Sequence, residues 1–597
     1  MNGKTKLELT WIGKEERPRL EPRILIEHPE HSVPATDGTQ DNILIHGDNL
    51  LALKALQGRF EGAVKCIYID PPFNTQQALP NYDDGIEHSL WLSLMRERLL
   101  FLRTLLHEEG TLFVHIDDNE IGYLLVLCDE IFGRKNRRYI VTFKQASATG
   151  HKSINPGCVS TTNYILVYAK NTDVWKPNRV FTGRERDKRY SQYIINPDQP
   201  FQKWQFTTLV EGFAVARKMP IREARALIRE QPDELDSFVL AHPERVIRWA
   251  RPDYDNVAKE TQSVIDKSMK NPSEIYKIER NGYSDIYIKD GQRILFYSDK
   301  LKFIDGQYVA GEPLTTLWDD ILSNNIHNEG GVEFPKGKKP EALIKRCIEL
   351  STREGDLVLD SFAGSGTTGA VAHKMRRRWI MVELGDHAVT HVLPRMKAVI
   401  SGNDKGGVTE ASGWRGGGGF RYFRLASSML ERDRWGNWVV SKDYNPAMLA
   451  EAMCRHMGFT YAPSQDPAEY WNHGHSTERD FIYVTTQALT HTMLAALSHE
   501  VGPDRRLLIC CKAFSGKADA FDNLTIRKIP QAVLANCEWG RNDYSLQITA
   551  SYEAPAPEPA GGEPSPEGGP RRSPRRSRTS EAGAPGLFDM ISNTVEG

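Results

Sequence analysis

The fold is decided by one short stretch, which reads Val64-Lys65-Cys66-Ile67-Tyr68-Ile69-Asp70-Pro71-Pro72-Phe73-Asn74. Its first six residues are rich in β-branched and aromatic side chains and predict a buried strand. The two prolines end that strand, because each fixes φ and lacks an N–H donor. A carboxylate, a carbonyl and an aromatic ring therefore stand at the carboxyl end of a strand, where open α/β sheets bind ligands. Taken alone, the Asp-Pro-Pro triplet is better explained as a strand-ending turn with a solvated carboxylate.

The chemistry of this stretch suits a planar ring that carries an amino group. Asp70 and the carbonyl of Pro71 can both accept hydrogen bonds from one amino group. Phe73 offers a flat face on which a ring can stack. We therefore take Asp70, Pro71, Pro72 and Phe73 as candidate catalytic residues.

A second motif, far along the chain, predicts a nucleoside-binding loop. A strand pattern ends in a glycine-containing loop that opens a helix, with the sequence Asp360-Ser361-Phe362-Ala363-Gly364-Ser365-Gly366-Thr367-Thr368. Glycines let the backbone approach a ligand, and the start of the helix presents free N–H groups. Glu383 ends the next strand pattern, 19 residues after Gly364, the spacing at which an acid meets a ribose hydroxyl. The loop lacks both a third glycine and a Gly-Lys-Ser/Thr sequence, which favours S-adenosylmethionine over a dinucleotide or a nucleoside triphosphate.

Strand and helix patterns alternate in residues 41–174 and again in residues 311–401, which predicts a doubly wound, largely parallel α/β sheet. One strong helix pattern begins near Trp91, and Gly110 stands where its C-cap is expected. Residues 175–310, between the two halves, are rich in Arg and Lys with interleaved aromatics, a composition that suits phosphates and bases. We predict an inserted target-recognition domain there. The remaining predicted segments are an N-terminal arm (1–40), a Gly-rich linker (402–419), a separate C-terminal domain (420–550) and a disordered tail (551–597).

Composition limits the class of protein. The chain has 597 residues, of which 40% are hydrophobic and 26% charged, values typical of globular proteins. No apolar run approaches the roughly 20 residues that a membrane span needs, and no secretory pattern follows Met1. The eight cysteines are scattered without a C-x-x-C pair, which argues against zinc and disulfides and indicates a reducing cytoplasm. Because the formal net charge is only −2, any surface that binds nucleic acid must be local.

Together, the two motifs resemble those of the β class of amino-methylating DNA methyltransferases, in which the catalytic motif precedes the cofactor motif. The resemblance also covers Gly47-Asp48-Asn49-Leu50, Lys339-Pro340 and the run from Arg377 to Leu384. Phe73 departs from the family, which more often has Tyr, and both rings can stack. Asp at position 70, rather than Ser, is more similar to adenine-N6 than to cytosine-N4 enzymes. Chain length and the stretches 528–530 and 537–540 look most like the modification (Mod) subunits of Type III restriction–modification systems.

The resemblance implies a Rossmann-like methyltransferase sheet and a target adenine flipped out of duplex DNA. It implies that Phe73 stacks on the base while Asp70 and the Pro71 carbonyl hold the amino group. No metal is required by this chemistry. The implied partners are double-stranded DNA, a restriction subunit with helicase and nuclease functions, and a second copy of the chain in a homodimer, with no membrane. The residues implied to bind S-adenosylmethionine are Asp48, Asp360, Phe362, Gly364, Ser365, Gly366, Thr367 and Glu383.

Two alternatives stay open at the level of sequence. The first is an RNA or cytosine-N4 methyltransferase with the same motif, since the basic segment does not separate DNA from RNA. The second is a mainly non-enzymatic recognition subunit that guides a translocase or nuclease, although intact Asp70 and Glu383 favour retained catalysis. The chain shows no P-loop of its own, so any ATP-driven activity must come from a partner.

Overall fold

The fold is seen in a computed structural model, which describes residues 7–35, 42–74, 88–147, 158–321, 326–334 and 337–545. The predicted tail and parts of the predicted N-terminal arm lie outside these residues. Within these ranges, none of the helices combines the length and apolar character needed to cross a membrane.

Strands and helices alternate through most of the chain. The first third contains β1 (Leu25–Glu27), β2 (Ile43–His46), α1 (Asn49–Phe60), β3 (Val64–Ile69), α2 (His88–Leu105), β4 (Leu106–Ile116), α3 (Ile121–Cys128), β5 (Arg137–Lys144) and β6 (Thr162–Ala169). The next part contains β7 (Phe181–Arg184), β8 (Gln192–Ile194), β9 (Phe206–Thr208), α4 (Leu209–Ala216), α5 (Ile221–Glu230), α6 (Pro232–Ala241), β10 (Val246–Ala250), α7 (Lys259–Lys270), β11 (Ile275–Ile278), β12 (Ile286–Lys289), β13 (Gln292–Phe296), β14 (Leu301–Ile304), β15 (Gln307–Pro313) and β16 (Leu317–Trp318).

The remaining elements complete the sheet and form the C-terminal region. They are α8 (Glu341–Ser351), β17 (Leu357–Asp360), α9 (Thr367–Lys374), β18 (Arg378–Glu383), α10 (Leu393–Ile400), β19 (Arg421–Leu425), β20 (Leu430–Arg432), β21 (Trp438–Val440), α11 (Pro446–Met457), β22 (Thr460–Tyr461), β23 (Gly474–His475), β24 (Asp480–Leu489), α12 (His491–Val501), β25 (Arg506–Phe514) and β26 (Leu524–Lys528).

Ten strands form the central sheet, in the order β1-β19-β2-β18-β17-β3-β4-β6-β5-β16. Neighbouring strands from β19 to β4 run parallel. Strand β6 lies antiparallel between β4 and β5, β16 is parallel to β5, and β1 is antiparallel to β19. This arrangement confirms the predicted doubly wound, largely parallel α/β sheet.

Helices cover both faces of this sheet because its strands are apolar on both sides. On one face, Ile67 and Ile69 pack with buried residues of α1, α2 and α3, such as Trp91. On the other face, Cys66 and Tyr68 pack with buried residues of α8, α9 and α10. The alternation of Cys66, Ile67, Tyr68 and Ile69 between two cores shows that β3 is a central strand covered on both faces.

Smaller sheets lie in the predicted flanking segments. A six-stranded sheet (β11-β12-β13-β10-β8-β9) and a three-stranded sheet (β14-β15-β7) fall within residues 175–313. A five-stranded sheet, β22 to β26, lies within the predicted C-terminal domain. Strand β19, however, also lies in that range and pairs with β2 in the central sheet. The central sheet therefore includes residues beyond 420, where the C-terminal domain was predicted to begin. The division into domains stays a prediction.

The stretch 402–419, predicted as a Gly-rich linker, packs against helix α8. Asp404 and Val408 are buried, and Val408 N–H donates to Glu341 of α8 at 3.0 Å. Gly407 has a φ of 58°, and a Cβ atom there would lie 2.0 Å from an oxygen of Glu341. Glycine is thus needed here for close packing and a left-handed turn, which composition alone does not distinguish from flexibility.

Candidate active site

Acidic residues follow three neighbouring strands of the central sheet. Leu359 of β17 pairs with Ile67 of β3, and β18 lies on the other side of β17. Asp70 directly follows β3, Asp360 ends β17, and Glu383 ends β18. Because the carboxyl ends of parallel strands meet at one edge of a sheet, the two sequence motifs lie side by side.

A small cleft joins the two motifs. It is lined by Asp70 from the first motif, by Asp360, Gly364 and Thr367 from the second, and by Lys339. Across the described ranges, no group of three or more His, Cys, Asp or Glu side chains is arranged to hold a metal ion. The structure thus brings the candidate catalytic residue and the candidate cofactor loop to one cleft.

The carboxylate of Asp70 lies between two side chains that we did not predict for the site. Its Oδ2 accepts a hydrogen bond from Nζ of Lys339 at 2.5 Å, and its Oδ1 lies 3.8 Å from Nδ1 of His115. Nζ of Lys339 also lies 4.9 Å from the centre of the Phe73 ring. Lys339 appeared in the sequence only as part of the family resemblance, and nothing in the sequence around His115 distinguishes it from a core histidine.

His115 is fully buried beneath the first motif. Its Nδ1 lies 2.8 Å from the hydroxyl of Tyr68, and its ring centre lies 5.5 Å from that of Phe73. Burial, with a further contribution from the Lys339 charge, holds the pKa of His115 well below its usual value. Burial, reinforced by the Asp70 charge, raises the pKa of Tyr68 well above its usual value. A neutral imidazole and a neutral phenol therefore support the floor of the site.

The rest of the first motif is held by α2 and by a turn. The carbonyl of Pro72 accepts a hydrogen bond from Nε1 of the buried Trp91 at 2.9 Å. Asn74 has a φ of 61°, and its side-chain amide donates to Glu120 at 2.6 Å. Pro71 is buried at the end of β3. These contacts fix the backbone of the motif, so Phe73 is presented on a rigid turn.

The buried carboxylate of Asp360 organises the loop of the second motif. Oδ1 accepts the backbone N–H of Phe362 at 2.9 Å, and Oδ2 accepts the hydroxyl of Thr368 at 2.6 Å. Burial raises the pKa of Asp360 to about 7, although both hydrogen bonds act in the opposite direction. Asp360 therefore shapes the loop through hydrogen bonds and titrates near neutral pH.

Glu383 holds the same loop from the neighbouring strand. Its Oε2 accepts the backbone N–H of Gly364 at 2.6 Å, and its Oε1 accepts that of Leu384 at 2.8 Å. Nε2 of His387 lies 2.8 Å from Oε1. The predicted contact between Glu383 and a ribose hydroxyl stays a prediction.

The start of α9 is fixed by a buried arginine that sequence reasoning missed. Gly366, with a φ of 78°, is the N-cap of this helix. Nη1 of Arg395 donates to the hydroxyl of Thr367 at 2.8 Å and to the carbonyl of Ser365 at 3.3 Å. Nη2 of Arg395 donates to Glu341 at 2.8 Å. Ser365 and Thr367 are therefore positioned by α10 and α8, which no local sequence pattern shows.

Asp48, predicted as a cofactor residue, caps helix α1. Its Oδ2 accepts the backbone N–H of Tyr544 at 2.9 Å and lies 3.6 Å from Nη2 of Arg98. The next residue contacts the second motif instead, since Nδ2 of Asn49 donates to the carbonyl of Ser361 at 2.8 Å. The role of Asp48 at the cofactor stays a prediction, and its place in the structure is that of a buried helix cap.

Comparison with known proteins identifies the family. A family model named N6_N4_Mtase and described as DNA methylase matches residues 64–393, more than half of the chain. The chain belongs to this DNA methylase family. The match spans both motifs of the cleft and the whole segment between them.

Curated relatives of this DNA methylase include Mod subunits. The chain is 35% identical over 423 residues to the probable type III restriction-modification enzyme HindVI Mod subunit of Haemophilus influenzae, covering 66% of this chain and 55% of the relative. It is 28% identical to the type III EcoPI Mod subunit of Escherichia phage P1, covering 62% of this chain and 61% of the relative. The chain thus spans about half to three-fifths of the length of these relatives.

Among solved structures, the M1.HpyAVI–SAM complex aligns with 59% of this chain and 98% of its own, at 13% identity and a TM-score of 0.30. The cytosine-N4-specific PvuII DNA methyltransferase aligns with a TM-score of 0.30 at 14% identity, covering 60% of this chain and 87% of that one. Similarity at this level supports no conclusion about function.

Proposed function

We propose that this DNA methylase transfers a methyl group from S-adenosylmethionine to N6 of adenine in duplex DNA. The observation that carries the proposal is the cleft in which Asp70, at the end of β3, lies next to the Gly364 loop at the end of β17. One side of that cleft offers an acceptor for an amino group, and the other offers a loop suited to a nucleoside. The family match over both motifs supports the same reaction.

The residues present fit S-adenosylmethionine. Gly364 and Gly366 have positive φ angles, and a Cβ atom at Gly366 would lie 2.9 Å from Val392, so the turn of the loop and its close packing both favour glycine. The first turn of α9, at Thr367, presents backbone N–H groups. Asp360 and Glu383 supply carboxylates to the same loop. When bound, this cofactor supplies an electrophilic methyl group.

The first motif holds the amino group that receives the methyl. In the proposed reaction, Asp70 and the carbonyl of Pro71 accept hydrogen bonds from the adenine amino group. Phe73 stacks on the ring, a contact worth about 1–3 kcal/mol per base in proteins that bind single-stranded nucleic acids. The Asp70 carboxylate stabilises positive charge as it builds on nitrogen, so its contribution is largest in the transition state. Aspartate at position 70 favours adenine over cytosine as the target.

The inserted segment is the proposed DNA-reading region. One face of its six-stranded sheet carries partly buried aromatic rings. Phe206 lies 4.9 Å from Trp249, and Trp204 lies 5.0 Å from Tyr287, measured between ring centres. Aromatic faces and long basic side chains are both used to contact nucleic acid. We therefore place sequence choice in residues 175–310.

The similarity to Mod subunits supports a role as the modification and recognition subunit of a Type III restriction–modification system. The proposed partners are a restriction subunit with helicase and nuclease functions and a second copy of this chain. All eight cysteines are free, and seven of them are buried, which favours a reducing, cytoplasmic location.

The test is to express the chain in cells that lack DNA methylation and to sequence their DNA with modified-base detection. We expect N6-methyladenine at one defined sequence, and none with an Asp70→Ala variant expressed at the same level. N4-methylcytosine, or methylation of RNA alone, would contradict the proposed substrate. Absence of any modified base with soluble protein would contradict the proposed reaction.

A further inference from the structure

Lys339 occupies the position that the proposed function gives to the target base. Its ammonium group lies 2.5 Å from Oδ2 of Asp70, the proposed acceptor for the amino group. The same ammonium lies 4.9 Å from the centre of the Phe73 ring, the proposed stacking surface. Both contacts use the groups that the proposed function assigns to the base, because an ammonium donates N–H hydrogen bonds and is attracted to the face of an aromatic ring. A base and Lys339 therefore compete for Oδ2 of Asp70 and for the face of the Phe73 ring.

Lys339 also lies within reach of the cofactor loop. Among the described residues that line the cleft it is the one basic side chain, and it faces Asp360, Gly364 and Thr367 as well as Asp70. A ligand carboxylate placed in this cleft would meet two aspartates, so it needs a cation beside it. The amino-acid end of S-adenosylmethionine carries such a carboxylate, and Lys339 can supply the cation.

The backbone around Lys339 favours movement of the side chain alone. Pro340 is the N-cap of α8, with a φ of −61°, and the helix after it is anchored by the buried Glu341. The position of the Lys339 Cα atom is therefore fixed, whereas its four-carbon side chain can change partners by rotamer changes. Such changes take far less time than loop or domain motions.

We propose that Lys339 exchanges partners, bound to Asp70 in the cofactor-free protein and to the carboxylate of S-adenosylmethionine in the complex. The exchange frees Asp70 and Phe73 for the base, so the cofactor must bind before the target adenine can enter. This inference rests on the proposed function and adds a binding order to it. Premature extrusion of a base is thereby suppressed until the methyl donor is present.

The first test separates the carboxylate from the rest of the cofactor. S-adenosylhomocysteine has the amino-acid tail, whereas 5′-methylthioadenosine lacks it. We expect Lys339→Met to weaken calorimetric binding of S-adenosylhomocysteine by at least tenfold and to leave methylthioadenosine binding within twofold of wild type. The matched control is Lys65→Met, which removes a lysine paired with Glu109 at 2.6 Å and outside the cleft.

The outcomes of this test distinguish the inference from the function on which it rests. If Lys339→Met binds S-adenosylhomocysteine as tightly as wild type does, the proposed contact is wrong while the cofactor assignment stands. If Lys339→Met binds both ligands more weakly by the same factor, the proposed contact is also wrong, because such a result indicates a general loss of structure. If wild type binds neither ligand, the proposed function itself fails, and the inference fails with it.

The second test measures base entry directly, without methyl transfer. Duplex DNA would carry 2-aminopurine at the target adenine of the site found by sequencing. In wild type we expect a several-fold rise in fluorescence only after S-adenosylhomocysteine is added. In Lys339→Met we expect the rise without any cofactor, and Lys65→Met should behave like wild type. Equal fluorescence of wild type with and without the cofactor analogue would overturn the binding order.

Discussion

Replacing Asp360 with Asn should change how the stability of the protein depends on pH. Asp360 is fully buried, and burial raises its pKa to about 7, whereas an aspartate in an unfolded chain titrates near about 3.9. Between these pH values the folded protein holds a proton that the unfolded chain has released. Unfolding therefore releases a proton, and the free energy of unfolding falls as the pH rises through this range.

The size of the effect follows from the pKa difference. One pKa unit corresponds to about 1.4 kcal/mol. Because the folded carboxyl is already half ionised at pH 7, wild type should lose about 2.3 kcal/mol between pH 5 and pH 7 through this group. The loss from pH 5 to pH 8 is about 2.6 kcal/mol. The asparagine does not titrate, yet it can keep both contacts. Its oxygen can accept the N–H of Phe362, and its amide can donate to the hydroxyl of Thr368.

The assay is urea unfolding of the cofactor-free protein at pH 5, 6, 7 and 8. The quantity of interest is the stability of wild type minus that of Asp360→Asn. A suitable control is Asp187→Asn, because a hydrogen bond from Arg189 lowers the pKa of Asp187 to about 2. Asp187 is ionised in both the folded and the unfolded protein above pH 5. The difference in stability between wild type and Asp187→Asn should therefore stay constant with pH. If the stability difference between wild type and Asp360→Asn is also the same at pH 5 and pH 7, the claim that burial raises the pKa of Asp360 is refuted.

Four further changes test other parts of the site. Asp70→Asn removes a charge-assisted hydrogen bond of about 1.5–3 kcal/mol, so single-turnover methylation should slow by about 10- to 150-fold while S-adenosylmethionine still binds; an unchanged rate would contradict its role. Glu383→Gln should weaken calorimetric binding of that cofactor about tenfold, or about 1.4 kcal/mol, because a carboxamide cannot accept all the bonds that the carboxylate accepts; unchanged affinity would contradict this. Arg395→Met deprives the buried Glu341 of a partner and should cost about 3–5 kcal/mol of stability in urea unfolding, whereas a loss below 1 kcal/mol would contradict it. Exchanging residues 175–310 for those of a relative should change the methylated sequence in modified-base sequencing, and an unchanged site would place recognition elsewhere.

Local sequence patterns were sufficient to predict the central strands. The predicted strand Val64–Ile69 has the same bounds in the structure, because its apolar residues fill two cores and the prolines after it end the ladder. The helix pattern after Trp91 was also correct, but its predicted end was wrong. Helix α2 ends at Leu105, and Gly110 lies inside β4, near a register shift opposite Val64. A glycine in a bulged strand and a glycine at a helix C-cap look alike in sequence.

The residues that sequence reasoning missed all act through contacts between distant parts of the chain. Lys339 and Asp70 are 269 residues apart, and Arg395 reaches Glu341 across 54 residues. His115 differs from an ordinary buried histidine only through its place beneath Asp70. Such contacts depend on which strands become neighbours, and a single sequence does not state this. The cofactor loop was visible because its glycines are a local requirement of the backbone.

The order of strands explains how a long insertion can separate the two motifs without disturbing the cleft. The chain leaves the central sheet at the end of β6 and returns through β16, which pairs with β5, itself the neighbour of β6. Exit and return thus lie at one edge of the sheet. The cleft lies further inside, where Val358 of β17 pairs with Cys66 of β3. The register of β3 and β17 therefore does not depend on the length or sequence of the inserted segment. This separation allows the inserted segment to vary while Asp70 and Gly364 keep their relative positions.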